Sequence, residues 1–321
     1  MTSNTPAPTL DQIVVGDCIK LMQSWPAGTA DLIFADPPYN IGYEYDQYQD
    51  TKSDAEYVEW TQAWIDGCAH LLKPTGSFYI LIGDEYAAET RMHLKHHERQ
   101  GNLLLRNWIV WHYTFGQNCR NKFNRSHAHL FYCVGSASMK KPSKPTEKNP
   151  HGYAVPAVDG KKQQFTFNRE AIAVASARQT TYGDLRANPT GKVPDDTWYL
   201  RPQEARDDID NGSPVSYFQP GEDTWYESRL CGTFKERVSW HPCQLPESLL
   251  ERIVKVSSNE GDLVFDPFSG SGTTAAVAAR LKRHWLATDI SQDYATKAQE
   301  RAVHAATTGE TLKSSQKEKG I

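Results

Sequence analysis

Two stretches of this 321-residue chain carry residue types that could do chemistry. The first is Asp36-Pro37-Pro38-Tyr39. A carboxylate accepts hydrogen bonds, two prolines fix the backbone beside it, and an aromatic ring offers a face for stacking. The second is Asp266-Pro267-Phe268-Ser269-Gly270-Ser271-Gly272-Thr273-Thr274, followed by an acid, Asp289, 17 residues beyond Gly272. Glycines let a backbone approach a ligand closely and leave N–H groups free at a helix start. An acid at the end of the next strand can accept hydrogen bonds from ribose hydroxyls. The loop departs from the dinucleotide pattern G-x-G-x-x-G, because Thr273 and Thr274 precede Ala275, and it lacks the Gly-Lys-Ser/Thr of a P-loop. It suits a nucleoside without a long phosphate tail. Each stretch alone also has a plainer reading, as an acidic loop and as a glycine turn.

The elements that would position these residues are legible. Residues 30–35 form a mostly apolar run that predicts a buried strand, ended by the two prolines. Residues 13–15 predict another strand, closed by Gly16-Asp17, and Asp17 can cap a short helix over 18–25 or contact a ligand. Residues 40–53, rich in Tyr and Asp, read as a mobile loop. Helical spacing of Tyr57, Trp60, Trp64, Cys68 and Leu71 predicts a helix over 54–72 whose aromatics belong to the core. Residues 73–76 read as its terminating turn, and 77–82 as a strand. A helix is expected over 85–97, then a strand pair over 108–115 and 129–134, antiparallel because the link is short. Beyond the insertion come a helix over 246–255, a strand at 263–265, the glycine loop with a helix to 281, a strand at 284–288 and a helix over 293–307. Strand, loop, helix, strand is one half of a doubly wound α/β fold.

His93 and His97 lie four apart and can share a helix face, but no Glu follows the first and no third ligand is in view, so no metal is expected. Six cysteines without a C-x-x-C pair read as buried thiols. No apolar run is long enough to span a membrane, and the termini read as loose tails. A cytoplasmic, nucleoid-associated protein is expected. The net charge of -4 conceals an asymmetry: residues 99–146 contain no Asp or Glu, and residues 139–192 carry ten Lys/Arg against four Asp/Glu. Tyr153, Phe165, Phe167 and Tyr182 are interleaved there, with Trp198 just beyond. Basic residues with aromatics suit phosphate contacts and stacking, and a solvated surface insertion is the plainer alternative.

The two signatures together, in this order, resemble the β-group DNA amino-methyltransferases, whose motifs D-P-P-Y and D-x-F-x-G-x-G both stand complete here as residues 36–39 and 266–272. The resemblance covers residues 11–134 and 236–305. It departs at His127-Ala128, where relatives often carry His-Glu, and no role is assigned to that segment. The resemblance implies an S-adenosylmethionine-dependent methyltransferase fold: α/β, a doubly wound mostly parallel sheet with an antiparallel pair at one edge and an inserted target-recognition region. The implied division is a catalytic half over 11–134, the recognition insertion over 135–235, a cofactor half over 236–305 and a tail over 306–321.

The implied activity is methyl transfer from S-adenosyl-L-methionine to adenine N6 of double-stranded DNA, with base flipping, in a restriction–modification setting. Cytosine N4 is the alternative target, and a non-catalytic DNA-binding relative or a dehydrogenase are further alternatives. By the same resemblance Asp36, Pro37, Pro38 and Tyr39 are catalytic, while Asp266, Phe268, Gly270, Gly272 and Asp289 hold the cofactor. Asp17 is the candidate for the cofactor's adenine. DNA contacts are expected from Arg120, Lys122 and Arg125 beside the flipped base, and from Lys140, Lys141, Lys161 and Lys162. Relatives often dimerise, so a homodimer is expected.

Overall fold

The computed structural model describes residues 6–113, 119–121, 123–157, 164–180, 182–198 and 236–310. Lys122, Lys161, Lys162, residues 199–235 and the tail beyond 310 lie outside the described residues. In chain order the strands are β1 (Gln12–Val15), β2 (Ala30–Ala35), β3 (Leu72–Ile82), β4 (Leu103–His112), β5 (His127–Gly135), β6 (Met139–Lys140), β7 (Val155–Pro156), β8 (Thr197–Trp198), β9 (Leu263–Asp266) and β10 (His284–Asp289). The helices are α1 (Cys18–Ser24), α2 (Asp54–Leu71), α3 (Ala87–Gln100), α4 (Ala177–Thr180), α5 (Glu247–Ser257), α6 (Thr273–Arg280) and α7 (Gln292–Thr308).

The main sheet has the order β1-β10-β9-β2-β3-β5-β4-β8. All of its pairings are parallel except those of β5, which runs antiparallel to β3 and to β4. The order reverses between the N-terminal and C-terminal halves of the chain, where β2 meets β9. Such a reversal opens a crevice at the carboxyl ends of the strands, where ligands bind.

Alternation along the central strands builds two cores. On β2, Leu32 and Phe34 face one layer, with α5, α6 and α7, while Ile33 and Ala35 face the other, with α1, α2 and α3. The expected helices form where the periodicity puts them. Asp17 caps α1, Ser53 and Glu56 form a capping box on α2, and Pro246 precedes the first turn of α5. Tyr57 and Trp64 are fully buried, as their spacing requires.

Three expectations change. Residues 73–76 are not a separate turn between helix and strand; they bulge within β3, whose ladder with β2 passes from Ala30↔Leu72 to Leu32↔Ser77. Lys73 Nζ bonds Asp31 Oδ2 at 2.7 Å, and Gly76 sits so close to the Asp31 carbonyl that a Cβ would stand 2.8 Å from it. Residues 40–53 are organised around one buried carboxylate, Asp50, which accepts the backbone N–H groups of Asn40, Ile41 and Tyr43. Finally, residues 139–198 are partly folded onto the core: β8 extends the sheet beside β4, Met139 and Ala154 belong to the same hydrophobic cluster as α5, α6 and α7, and Phe165 and Phe167 pack against that cluster. Phe165 and Phe167 are half-buried against this cluster.

Candidate active site

The carboxyl ends of β1, β2, β3, β9 and β10 surround one cavity of about 520 Å³, lined by Asp17, Asp36, Gly83, Asp266 and Asp289 among others. The tetrad is held from both sides. Tyr57 donates its hydroxyl to the Pro38 carbonyl at 2.6 Å, and Tyr39 donates to Asp36 Oδ1 at 2.8 Å. Burial, then the Asp36 charge, push the Tyr39 pKa well up, so its hydroxyl stays a donor. A Cβ at Gly83 would stand 3.4 Å from the Tyr39 ring, which therefore lies close on the β3 end. After the tetrad, Asn40 takes a left-handed φ of 57° and its side chain bonds the Lys52 carbonyl and the Tyr86 hydroxyl. Ser291 Oγ donates to Asp46 Oδ2 at 2.5 Å, so the loop after the tetrad straps across to the cap of α7.

The glycine loop is held differently, by buried charge. Asp266 accepts the Phe268 N–H at 2.9 Å. Asp289 accepts the N–H groups of Gly270 and Ser291, each at 2.8 Å. Burial pushes both carboxyl pKa values up to about 6, against the lowering effect of those bonds. Arg301, fully buried, donates to the Ser271 carbonyl and Thr273 Oγ1 and pairs with Glu247 at 2.6 Å. Gly270 and Gly272 take φ values of 49° and 72°. A Cβ on Gly270 would meet the His241 ring at 3.0 Å, and one on Gly272 would meet Ala298 Cβ at 2.7 Å. The Phe268 ring packs on Trp60 and Trp64 of α2, at 5.5 and 5.3 Å between centroids. Burial drives the His241 pKa down to about 4, so a neutral imidazole flanks the loop.

A nucleoside fits this construction. The left-handed Gly270 brings the loop backbone to the cavity wall, Asp289 is an acid within that wall, and Trp60 and Phe268 add apolar lining. Asp17 caps α1, its Oδ1 accepting the Ile19 and Lys20 N–H groups, and the residue also lines the cavity.

All ten expected catalytic and cofactor residues line the cavity or belong to the two loops that form it; Gly272 lies beneath, against α7. The expected DNA-binding residues do not cluster. Arg125 lines the mouth, ion-paired with Asp84 at 2.8 Å and Glu85 at 2.9 Å, and Arg120 is exposed nearby in sequence. Lys140 and Lys141 lie at the other end of the sheet, beside Gly101 at the start of β4. Trp60, His241, Tyr294 and the loop tyrosines Tyr43, Tyr45 and Tyr48 also line the cavity. Helical spacing had marked Trp60 as core. The tyrosine-rich composition of residues 40–53 was the only sequence signal for Tyr43, Tyr45 and Tyr48, and His241 left none.

A doubly wound sheet that brings a braced carboxylate and a nucleoside loop to one cavity defines an α/β enzyme working on a substrate beside a nucleoside cofactor. Residues 30–300 match the family model described as DNA methylase, and the chain belongs to that family, the DNA amino-methyltransferases. It is 29% identical over 293 residues to the type II methyltransferase M.HpaI of Haemophilus parainfluenzae, covering 91% of this chain and 74% of that protein. It is 28% identical over 291 residues to the DNA adenine methyltransferase YhdJ of Escherichia coli, covering 88% and 79%. Among solved structures, TTHA0409 of Thermus thermophilus, a putative DNA modification methylase complexed with S-adenosyl-L-methionine, is similar with a TM-score of 0.51 at 18% identity, over 94% of this chain and 96% of that one. The cytosine-N4-specific PvuII DNA methyltransferase is similar with a TM-score of 0.51 at 15% identity, over 95% of each chain. These two share the fold.

Proposed function

We propose that this protein transfers a methyl group from S-adenosyl-L-methionine to N6 of adenine at a defined sequence in double-stranded DNA. The observation that carries the reading is the meeting of Asp36-Pro37-Pro38-Tyr39 with the glycine loop across one cavity. An adenine amino group is a poor nucleophile because its lone pair is delocalised into the ring. Asp36 accepts one amino N–H as a hydrogen bond and the Pro37 carbonyl the other, which returns density to nitrogen. As the nitrogen gains a carbon, Asp36 takes the proton it loses. The Tyr39 hydroxyl bond to Asp36 Oδ1 holds that carboxylate in place, and the Tyr39 ring supplies the stacking face. A base inside a duplex cannot enter such a cavity, so it is extruded at a cost of a few kcal/mol.

When bound, the cofactor supplies an activated methyl on a sulfonium. Asp266, Phe268, Gly270 and Gly272 are assigned to its methionine part, Asp289 to its ribose and Asp17 to its adenine. Residues 11–134 and 236–305 then serve catalysis and cofactor, and 135–235 serves recognition. Arg120 and Arg125 are the DNA contacts assigned beside the mouth, with Arg125 exchanging its carboxylate partners for phosphate.

The named activity of YhdJ on adenine supports N6 over cytosine N4. The test is methylation-sensitive sequencing of DNA from cells expressing the protein. N6-methyladenine at one recurring sequence is expected. N4-methylcytosine would move the reading to the other amino group, and unmodified DNA would refute it.

A further inference from the structure

At the end of the sheet opposite the active site, α2 and α3 bring together three side chains that the methyl-transfer machinery does not use. His93 and His97, one turn apart on α3, both aim Nε2 at the same oxygen of Asp66 on α2, at 2.7 and 2.9 Å. One ligand atom from each of the three lies within 4.8 Å of the others. The third ligand missing from the sequence pattern is thus supplied by a neighbouring helix. Asp66 is 27 residues before His93, a separation no motif would reveal.

The surroundings suit a bound ion. The three residues open on a separate cavity of about 510 Å³, which His70 and His96 also line. Leu72, the first residue of β3, and Gly135, the last of β5, form its far wall, which places it at the amino ends of the parallel strands. The His93 and His97 rings are nearly perpendicular with centroids 4.9 Å apart, so their nitrogens converge without the rings colliding. The Asp66 side chain is 57% exposed and free to shift, while the His93 and His97 side chains are 12% and 7% exposed and fixed by the fold.

We propose that Asp66, His93 and His97 form a binding site for a divalent transition-metal ion of the zinc class, clipping α2 to α3. Two imidazoles and one carboxylate are ligands that zinc accepts, with open positions left for water or for a further side chain. A tetrahedral ion with bonds of about 2.0–2.1 Å needs donors about 3.3 Å apart. Each carboxylate–imidazole contact therefore opens by roughly half an ångström on binding, and the ion takes the place of the hydrogen at each Nε2, the single proton of each neutral ring then sitting on Nδ1. His97 Nδ1 is buried without a partner among the described residues. The lack of an outer acceptor on a ligating histidine costs about 10–100-fold in affinity, which sets the site in the micromolar rather than the nanomolar range.

The test uses full-length protein without affinity-tag histidines, stripped with a chelator and titrated with zinc chloride by calorimetry. One zinc per chain with micromolar affinity is expected, together with a rise in the melting temperature. Cobalt(II) in its place should give the visible absorption of a low-symmetry site. His93→Ala should weaken zinc binding by on the order of tenfold or more and remove the melting shift, while metal-free methylation of DNA equals wild type because the site lies away from the cavity. If that variant does not fold, Asp66→Asn, which keeps an acceptor for an imidazole but is a poor metal ligand, decides in its place. Absence of saturable binding, or zinc binding unchanged in these variants, would overturn the proposal and leave Asp66 as a hydrogen-bonding bridge between two helices.

Discussion

The tetrad loop and the glycine loop face one cavity, yet they are fixed by opposite means. The tetrad is braced by covalent stiffness and by hydroxyls: two prolines, Tyr57 on the Pro38 carbonyl, Tyr39 on Asp36. The glycine loop has a flexible backbone and is pinned by buried charge: Asp266 and Asp289 on backbone N–H groups, Arg301 on Ser271 and Thr273. Rigid prolines hold the carboxylate of the tetrad at the cavity wall. The pinned Gly270 keeps the loop backbone at the cavity wall. On the proposed assignment binding and chemistry are separable, each with its own failure mode.

The largest effect should come from the loop with the least spare room. Gly270→Val forces a side chain into a φ of 49° and onto His241, so cofactor binding, measured by calorimetry, should fall below detection and methyl transfer with it. Unchanged affinity would reduce the loop to a turn. On the other side, Tyr39→Ala removes the stacking face, which is worth about 1–3 kcal/mol per base, or roughly 5–150-fold in productive DNA binding. Tyr39→Phe keeps the face and loses only the bond to Asp36, so its effect should be several-fold smaller and fall on kcat. Equal losses in the two variants would show that the hydroxyl, not the ring, carries the role.

Protonation separates the loops again. Asp266 and Asp289 ionise near 6 in the folded protein against 3.8 for ordinary aspartates. A raised carboxyl pKa means that the folded state binds the proton more tightly. Its stabilising share is complete below 3.8 and is lost as pH rises through about 6. On the proposed assignment ribose hydroxyls donate to ionised Asp289, so cofactor affinity should run the other way. It should weaken as pH falls through about 6, and the melting shift produced by cofactor should shrink with it. A cofactor affinity flat from neutral pH to 5 would remove Asp289 from the ribose.

The smallest effects concern DNA charge. Removing one side chain that neutralises a phosphate should lower the slope of log affinity against log salt by about 0.9. Arg120→Ala, at an exposed position five residues before Arg125, should show this, whereas Lys140→Ala with Lys141→Ala, at the far end of the sheet, should leave the salt titration close to wild type. A flattened slope for the lysine pair would mean that the duplex reaches around the sheet.

The sequence made the two loops legible because local chemistry defines them: prolines stop a strand, glycines start a helix, and an acid ends the next strand. The same logic placed the central strands and the helices that cover them. What it could not reach were contacts set by distant segments. Asp50 organising residues 40–43, the strap from Asp46 to Ser291, and His241 beneath Gly270 all depend on chain crossings without a local pattern. Residues 73–76 misled because Lys-Pro-Thr-Gly is turn chemistry whether it closes a helix or bulges within a strand. The charge count across residues 139–192 had no direction in space, and Lys140 and Lys141 lie away from the cavity.

Separability of binding and chemistry is tested most directly on Asp36→Ala, with cofactor affinity and methyl transfer to DNA measured on one preparation. The affinity should stay within about twofold of wild type, while transfer falls by roughly 10²–10⁴-fold, the range for losing a group that handles a proton in the transition state. Transfer that survives the substitution, or cofactor binding that is lost with it, would contradict the account.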